Sequence, residues 1–428
     1  MKLIYLFLIT IYINPITTFC QSTSFFHLEQ KDHKWQLIDP EGSPFHMRGC
    51  NHYGNGDHMP WNLKEKYGTV EKWRQSVKAL HQELGFTYLP PSIGPSMISA
   101  TEVTRTPEWP AGDFAELNYP FTAFLEVGKQ YMAGEGMPDV FSETFAQAVD
   151  QRCQEFVAPL KTSKNLIGYH FTHNPPWNIN ATSAEDWIRA CTQPGSAGLK
   201  AWARHMKKVY GTIDRWRATY GTPIEKWSDI EKLERPLRAY VSGVNFRKDK
   251  ESFLQEICEK WYQIHHDAIR KYDPYHLILG DRNTLHLQVP PEPWAYHIMS
   301  KYIDVLSVNV MGPPEIVYDV LEPATRSWNG PILLADTGAG IYDVEPGKST
   351  WEAKDLAEYE KVYSGLIRMS MEHPQIIGFG WCGYYESPYP RARSGIVAIE
   401  NDEPLEERVE IIKRWNQKMD EYMLRPDR

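Results

Sequence analysis

Residues 166–177 read Leu-Ile-Gly-Tyr-His-Phe-Thr-His-Asn-Pro-Pro-Trp. The apolar run from Leu166 to Phe171 has the length of a buried strand, and the two prolines stop it and stiffen its exit. A strand buried on both faces belongs to a parallel sheet, and barrels and open α/β sheets keep their functional groups at the C-terminal strand ends. His173 and Asn174 are therefore expected at the lip of a pocket, with Trp177 as a wall.

Working outward, similar runs recur along the chain. Residues 25–44 read as a lead-in hairpin with a Lys-Asp-His turn. Residues 44–54, PFHMRGCNHYG, read as a first strand ending in Asn51, His52 and Tyr53. FTYLPPS (86–92) and PFTAFLEV (120–127) are the second and third, and the opening stretch is the fourth. The fifth ends in Asp281, Arg282 and Asn283, the sixth at Asn309 and the seventh at Asp336. The eighth, IIGFGWCGYYESP (376–388), carries Trp381, Tyr384, Tyr385 and Glu386.

Helical periodicity fills the intervals. Val70, Trp73, Val77, Leu80 and Leu84 mark one helix, which Gly85 ends; Phe253, Ile257, Trp261, Ile264 and Ile269 mark another. Eight strands alternating with helices predict an α/β chain folded as a (β/α)8 TIM barrel. A Trp-rich helical insertion after strand four, about residues 175–245, is expected to roof its mouth. No linker divides residues 21–428, which read as one barrel domain. A doubly wound open sheet is the competing architecture, but no glycine-rich phosphate fingerprint follows the first strand.

The chain has 428 residues, 42% hydrophobic and 24% charged, an ordinary globular balance. With a net charge of −9 and no basic run, it is not built to bind nucleic acid. An anionic small substrate stays compatible, since a pocket can be locally basic. The 15 tryptophans and 24 tyrosines would suit the apolar faces of sugar rings, and would equally fill a large core. Residues 1–20 have one Lys, an apolar core and a small, polar end. They read as a secretory signal peptide, which implies a secreted or periplasmic protein with no membrane contact once it is removed. Cys50, Cys153, Cys191, Cys258 and Cys382 form an odd, scattered set, not a disulfide framework. With no CxxC or HExxH spacing, no metal or cofactor is expected.

FHMRGCNHYG, the LIGY strand ending in Asn, DPYHLILGDR, VLSVN, and the Trp-bearing last strand followed by SGIVAIENDEPLEE resemble, in that order, agarase-like glycoside hydrolases of the large clan of retaining barrels. The resemblance spans most of the chain after residue 20 and implies an oligosaccharide substrate from a marine polysaccharide. It also implies Asn-Glu at the end of strand four, the Glu serving as acid/base, and a nucleophilic Glu at the end of strand seven. Here those places hold Asn174-Pro175 and Asp336. Retaining hydrolysis needs two carboxyl groups about 5–5.5 Å apart, and proline supplies neither proton nor nucleophile. Glu126 or Glu386 could stand in only from other strands.

What the strand ends do offer suits β-elimination at a uronic acid. The C5 proton becomes removable once the neighbouring carboxylate is neutralised, a role for Arg, Asn or protonated His. A His or Tyr then takes the proton, and another protonates the group leaving C4. His52, His173 and Tyr385 are the candidate acid and base, with Asp336 orienting one of them. Asn51, Tyr53, Asn174, Trp177, Arg282, Asn309, Trp381 and Tyr384 are the candidate binding residues. The resemblance extends to dehydratases acting on uronate-ended oligosaccharides of ulvan, which also fit the missing glutamate. A lyase, a hydrolase with relocated carboxylates, and a non-catalytic sugar-binding protein remain the alternatives. His58, Arg391 and Arg393 read as solvated loop residues.

Overall fold

The computed structural model describes residues 24–53, 63–91, 112, 116–125, 137–173, 175, 177–181, 184–285, 290–339, 353–386, 394–398 and 401–424. The signal-like segment 1–20, His58, Glu126, Asn174, Arg391 and Arg393 lie outside these, and for His173 only the backbone is described.

Strands β1 (His27–Lys31) and β2 (Lys34–Ile38) pair antiparallel, turning at Asp32 and His33, both at positive φ. The short β3 (Pro44–Phe45) extends this hairpin. Its Phe26 and Leu37 pack with Met47, Ile167, Leu277, Val305, Leu333 and Ile377, which lie at or near the strand beginnings. The Trp35 amide donates to Pro374 O at 2.7 Å, just ahead of the last strand. The hairpin therefore covers the N-terminal end of the sheet, opposite the candidate site residues.

Seven parallel strands follow: β4 (Met47–Cys50), β5 (Phe121–Phe124), β6 (Leu166–His173), β7 (Leu277–Thr284), β8 (Leu306–Asn309), β9 (Ile332–Thr337) and β10 (Ile376–Trp381). Their spatial order is β4-β10-β9-β8-β7-β6-β5, a curled sheet with helices between successive strands. The expected second strand, 86–92, is not a regular strand. The Thr87 amide donates to Arg48 O, the Leu89 amide donates to Pro120 O, and Leu89 O accepts from Thr122, so a short length of backbone links the two edges of the sheet. Pro90 and Pro91 lack the N–H groups a longer ladder would need, which is why the pairing stops there.

Helix α1 (Leu63–Tyr67) is followed by α2 (Val70–Glu83), which starts where the Thr69 side chain accepts from the Lys72 amide. It buries Trp73, Val77 and His81 on one face and ends before Gly85 at φ 74°. Next come α3 (Glu143–Arg152), α4 (Ala184–Cys191), α5 (Ala197–Tyr210), α6 (Ile213–Tyr220), α7 (Trp227–Ile230) and the long α8 (Val244–Tyr272). Beyond them are α9 (Pro293–Met299), α10 (Pro314–Ser327), α11 (Leu356–Glu372) and α12 (Glu406–Met423). Among the described residues no helix is long and apolar enough to cross a membrane.

The insertion, α4 to α7, was expected over the mouth. Its helices pack on α8, where Trp187 meets Trp261 edge-on at 5.1 Å and Trp202 meets Phe253 at 5.0 Å. The apolar faces of α4 and α5 need an apolar partner, and α8 supplies one along its length.

Candidate active site

Parallel register places the strand ends in one layer. Asn309 of β8 pairs with Asp336 of β9 and with Thr284 of β7, and His173 of β6 pairs with Arg282 of β7. Just past β4, the Asn51 amide donates to Trp381 O at 2.7 Å, and Asn51 O accepts from the Tyr384 amide at 2.6 Å. Residues more than 280 positions apart in the chain thus meet at one rim.

Asp336, only 5% exposed, is the centre of the group. Its Oδ2 lies 3.0 Å from Arg282 Nη2 and 3.4 Å from His52 Nε2, and its Oδ1 accepts from Asn51 Nδ2 at 3.2 Å. Asn51 Nδ2 also donates to Ala335 O at 2.9 Å. This approach requires Gly380, since a Cβ there would lie 2.6 Å from Asn51 Nδ2. Arg282 is fully buried; its Nε donates to Asn309 Oδ1 at 3.2 Å and its Nη2 to Ala335 O at 3.0 Å. Arg282 Nη1 and Asn51 Oδ1 are buried without a hydrogen-bond partner among the described residues.

His52 is the group most open to solvent, with 22% of its side chain exposed. Its backbone sits at φ 66°, a left-handed conformation costly for a residue with a Cβ and commonest at functional sites. Burial works against protonation of its ring, but the neighbouring Cys382 and Asp336 outweigh it and hold the imidazole well above its ordinary pKa. The donor atoms of His52, Asp336 and Cys382 lie within 4.8 Å of one another. Reading strand ends in the sequence passed over Cys382, because one cysteine after a Trp carries no spacing signal.

Several expected binding residues belong to the core instead. Trp381 is fully buried, packs against Tyr359 and Tyr363, and donates from Nε1 to Ser394 O at 2.8 Å. Trp177, also fully buried, stacks on Trp187 at 5.3 Å. Both rings sit among aromatic side chains of the flanking helices. Tyr53 donates its hydroxyl to Pro90 O, and Tyr384 stacks on His81 at 5.7 Å. Tyr385, expected as an acid or base, donates to Asp402 Oδ1 at 2.7 Å and accepts from Trp73 Nε1 at 3.2 Å, and burial pushes its phenol far up. Glu386 is ion-paired with Arg408. None of the five described cysteines is in a disulfide.

One carboxyl beside the site faces the other way. Asp281 accepts from Trp261 Nε1 at 3.0 Å and from the Thr172 amide at 3.2 Å. Burial pushes it up to about 7, against the pull of the hydrogen bonds from Tyr262, Trp261 and Thr172. A carboxyl raised on folding contributes stability that is fully present below its unfolded pKa, about 3.9, and lost as pH rises through its folded value. Between about pH 4 and pH 7 the melting temperature of the native protein should therefore fall more steeply than that of Asp281→Asn. Equal slopes in a thermal-melting series would show that Asp281 is ionised in the fold.

No protein-family model matches the sequence, and no curated protein does. Solved structures do resemble it. The chain overlays on an exo-β-agarase with a TM-score of 0.71 at 19% identity, covering 94% of this chain and 66% of that one. It overlays on the agarase AgWH50C with a TM-score of 0.70 at 19% identity, over 94% and 66% of the two chains. For PfGH50B the TM-score is 0.70 at 18% identity, over 95% and 67%. This chain thus spans about two thirds of the length of each, and its curled, helix-flanked parallel sheet has an agarase-like glycoside hydrolase fold.

Proposed function

We propose that the protein is a carbohydrate-active enzyme that removes water across C4–C5 of a terminal uronic acid, acting as a dehydratase on oligosaccharides of an anionic, ulvan-like polysaccharide. The observation that carries this reading is the buried Arg282, held at Nε and Nη2 by Asn309, Ala335 and Asp336, with Nη1 unspent, and sharing Asp336 Oδ2 with a raised-pKa histidine. A fixed guanidinium with a spare N–H pair is suited to a carboxylate whose charge grows as an enediolate forms. His52, favoured as imidazolium, gives its proton to the departing C4 hydroxyl, which leaves as water. The base that takes the C5 proton is assigned to His173, whose backbone pairs with Arg282. Asp336 orients His52 and Arg282. The C5–H electron pair becomes the C4=C5 double bond, conjugated with the carboxylate. A sugar at C4 in place of hydroxyl would make the same chemistry a lyase reaction. On this reading residues 1–20 export the enzyme to where the polysaccharide is, Thr87–Leu89 stands as the eighth position of a closed barrel, and no cofactor is needed.

The fold likeness speaks more directly for a second reading, glycoside hydrolysis with Asp336 as nucleophile. Against it stands Pro175, where an acid/base glutamate would be needed. Incubation with uronate-ended oligosaccharides separates the two. Elimination gives a rise in the ultraviolet absorbance of a conjugated uronate without new reducing ends. New reducing ends without that absorbance would replace this reading with hydrolysis.

A further inference from the structure

His52, Asp336 and Cys382 come from three neighbouring strand ends, β4, β9 and β10, and present an imidazole nitrogen, a carboxylate oxygen and a thiol sulfur within 4.8 Å of one another. We propose that this triad binds one thiophilic divalent cation of the zinc type. A tetrahedral zinc with bonds of about 2.0–2.3 Å holds its donors about 3.3–3.8 Å apart, so the set needs to contract by about 1 Å. The His52 Nε2 to Asp336 Oδ2 separation, 3.4 Å, already lies in that range.

Two features make this a built site. The carboxylate is held at Oδ1 by Asn51 Nδ2 and at Oδ2 by Arg282 Nη2, the outer-shell hydrogen bonding that orients a ligand. The imidazole is fixed by its left-handed backbone and by close approach to Gly383, where a Cβ would lie 3.2 Å from His52 Cδ2. Asp336 and Cys382 are buried and His52 is partly open, so the fourth coordination position falls toward solvent. The thiol sets the selectivity, since sulfur favours zinc or cadmium over magnesium and calcium. Binding displaces the thiol proton to solvent as the sulfur–metal bond forms. The positive Arg282 beside the carboxylate opposes the cation and makes the site weaker than a structural zinc centre.

This inference shares His52 with the proposed reaction, but its test needs no turnover. The full chain is titrated with zinc against a chromogenic chelator, and separately with magnesium. The expected result is one equivalent of zinc, no magnesium, and an affinity lowered at least about tenfold in Cys382→Ser. Cobalt(II) gives a second readout: a sulfur-to-metal charge-transfer absorption in the native protein, absent in Cys382→Ser. No zinc binding, or equal binding without the charge-transfer band, overturns the proposal. If the site binds zinc, the proposed reaction adds that zinc inhibits turnover by occupying His52, and a chelator restores it. Bound zinc without inhibition would count against His52 as the acid and leave the metal site standing.

Discussion

Replacing Arg282 with alanine is expected to abolish measurable turnover and to lower folding stability by about 3–5 kcal/mol, the usual result of removing one partner of a buried ion pair. Arg282 is fully buried and its partner Asp336 nearly so, and Asp336 would keep its charge without its guanidinium partner. Two further variants separate fold from function. Arg282→Met with Asp336→Leu removes both charges and should recover much of the lost stability, because uncharged side chains of similar volume often replace a buried pair without loss. Arg282→Lys keeps the charge but loses the planar fork that bonds Asn309, Ala335 and Asp336 together. It should fold, yet lose at least about 10²-fold in kcat/KM on uronate-ended substrates. Full activity in Arg282→Lys would assign the arginine to architecture alone.

The second large effect is at His52. His52→Asn should lower kcat at least about 10²-fold, as removal of a general acid does, in a variant that still folds. Asparagine suits the test because it tolerates the left-handed backbone found there. In the native protein the imidazolium that the proposed reaction uses is lost as pH rises through a pKa lifted above the ordinary histidine value of about 6.5. Turnover should therefore fall on the alkaline side, and show no such limb in the residual activity of His52→Asn. An unshifted alkaline limb in that variant would move the acid role to another group.

These expectations mark how far the sequence alone could be read. Apolar runs ended by polar residues located the strands, because burial on both faces leaves a plain signature in composition. The exception was FTYLPPS, where proline chemistry cut a strand to a three-residue link. The seventh-strand aspartate and the Asn51, Arg282 and Asn309 around it were legible because register brings strand ends together by rule. The aromatics were not: Trp177, Trp381 and Tyr385 also flank strand ends, but whether a ring faces a ligand or the core depends on packing partners such as Trp187 and Tyr363. Cys382 was missed because its meaning lies in a neighbour 330 positions earlier.

The docking of the insertion on α8 has an optical consequence. Trp177 follows β6, Trp187 belongs to α4 and Trp261 to α8, and the three indoles touch in sequence at 5.3 and 5.1 Å. Chromophores this close exchange excitation, and the exchange gives a circular-dichroism couplet that weakens when an outer ring moves away and is lost from both pairs when the middle one, Trp187, does. The protein therefore carries its own reporter of whether the insertion is seated. Loss of the couplet ahead of the main thermal transition would identify α4 as a separately melting unit, and replacing Trp187 with phenylalanine would silence the signal without unmaking the sheet.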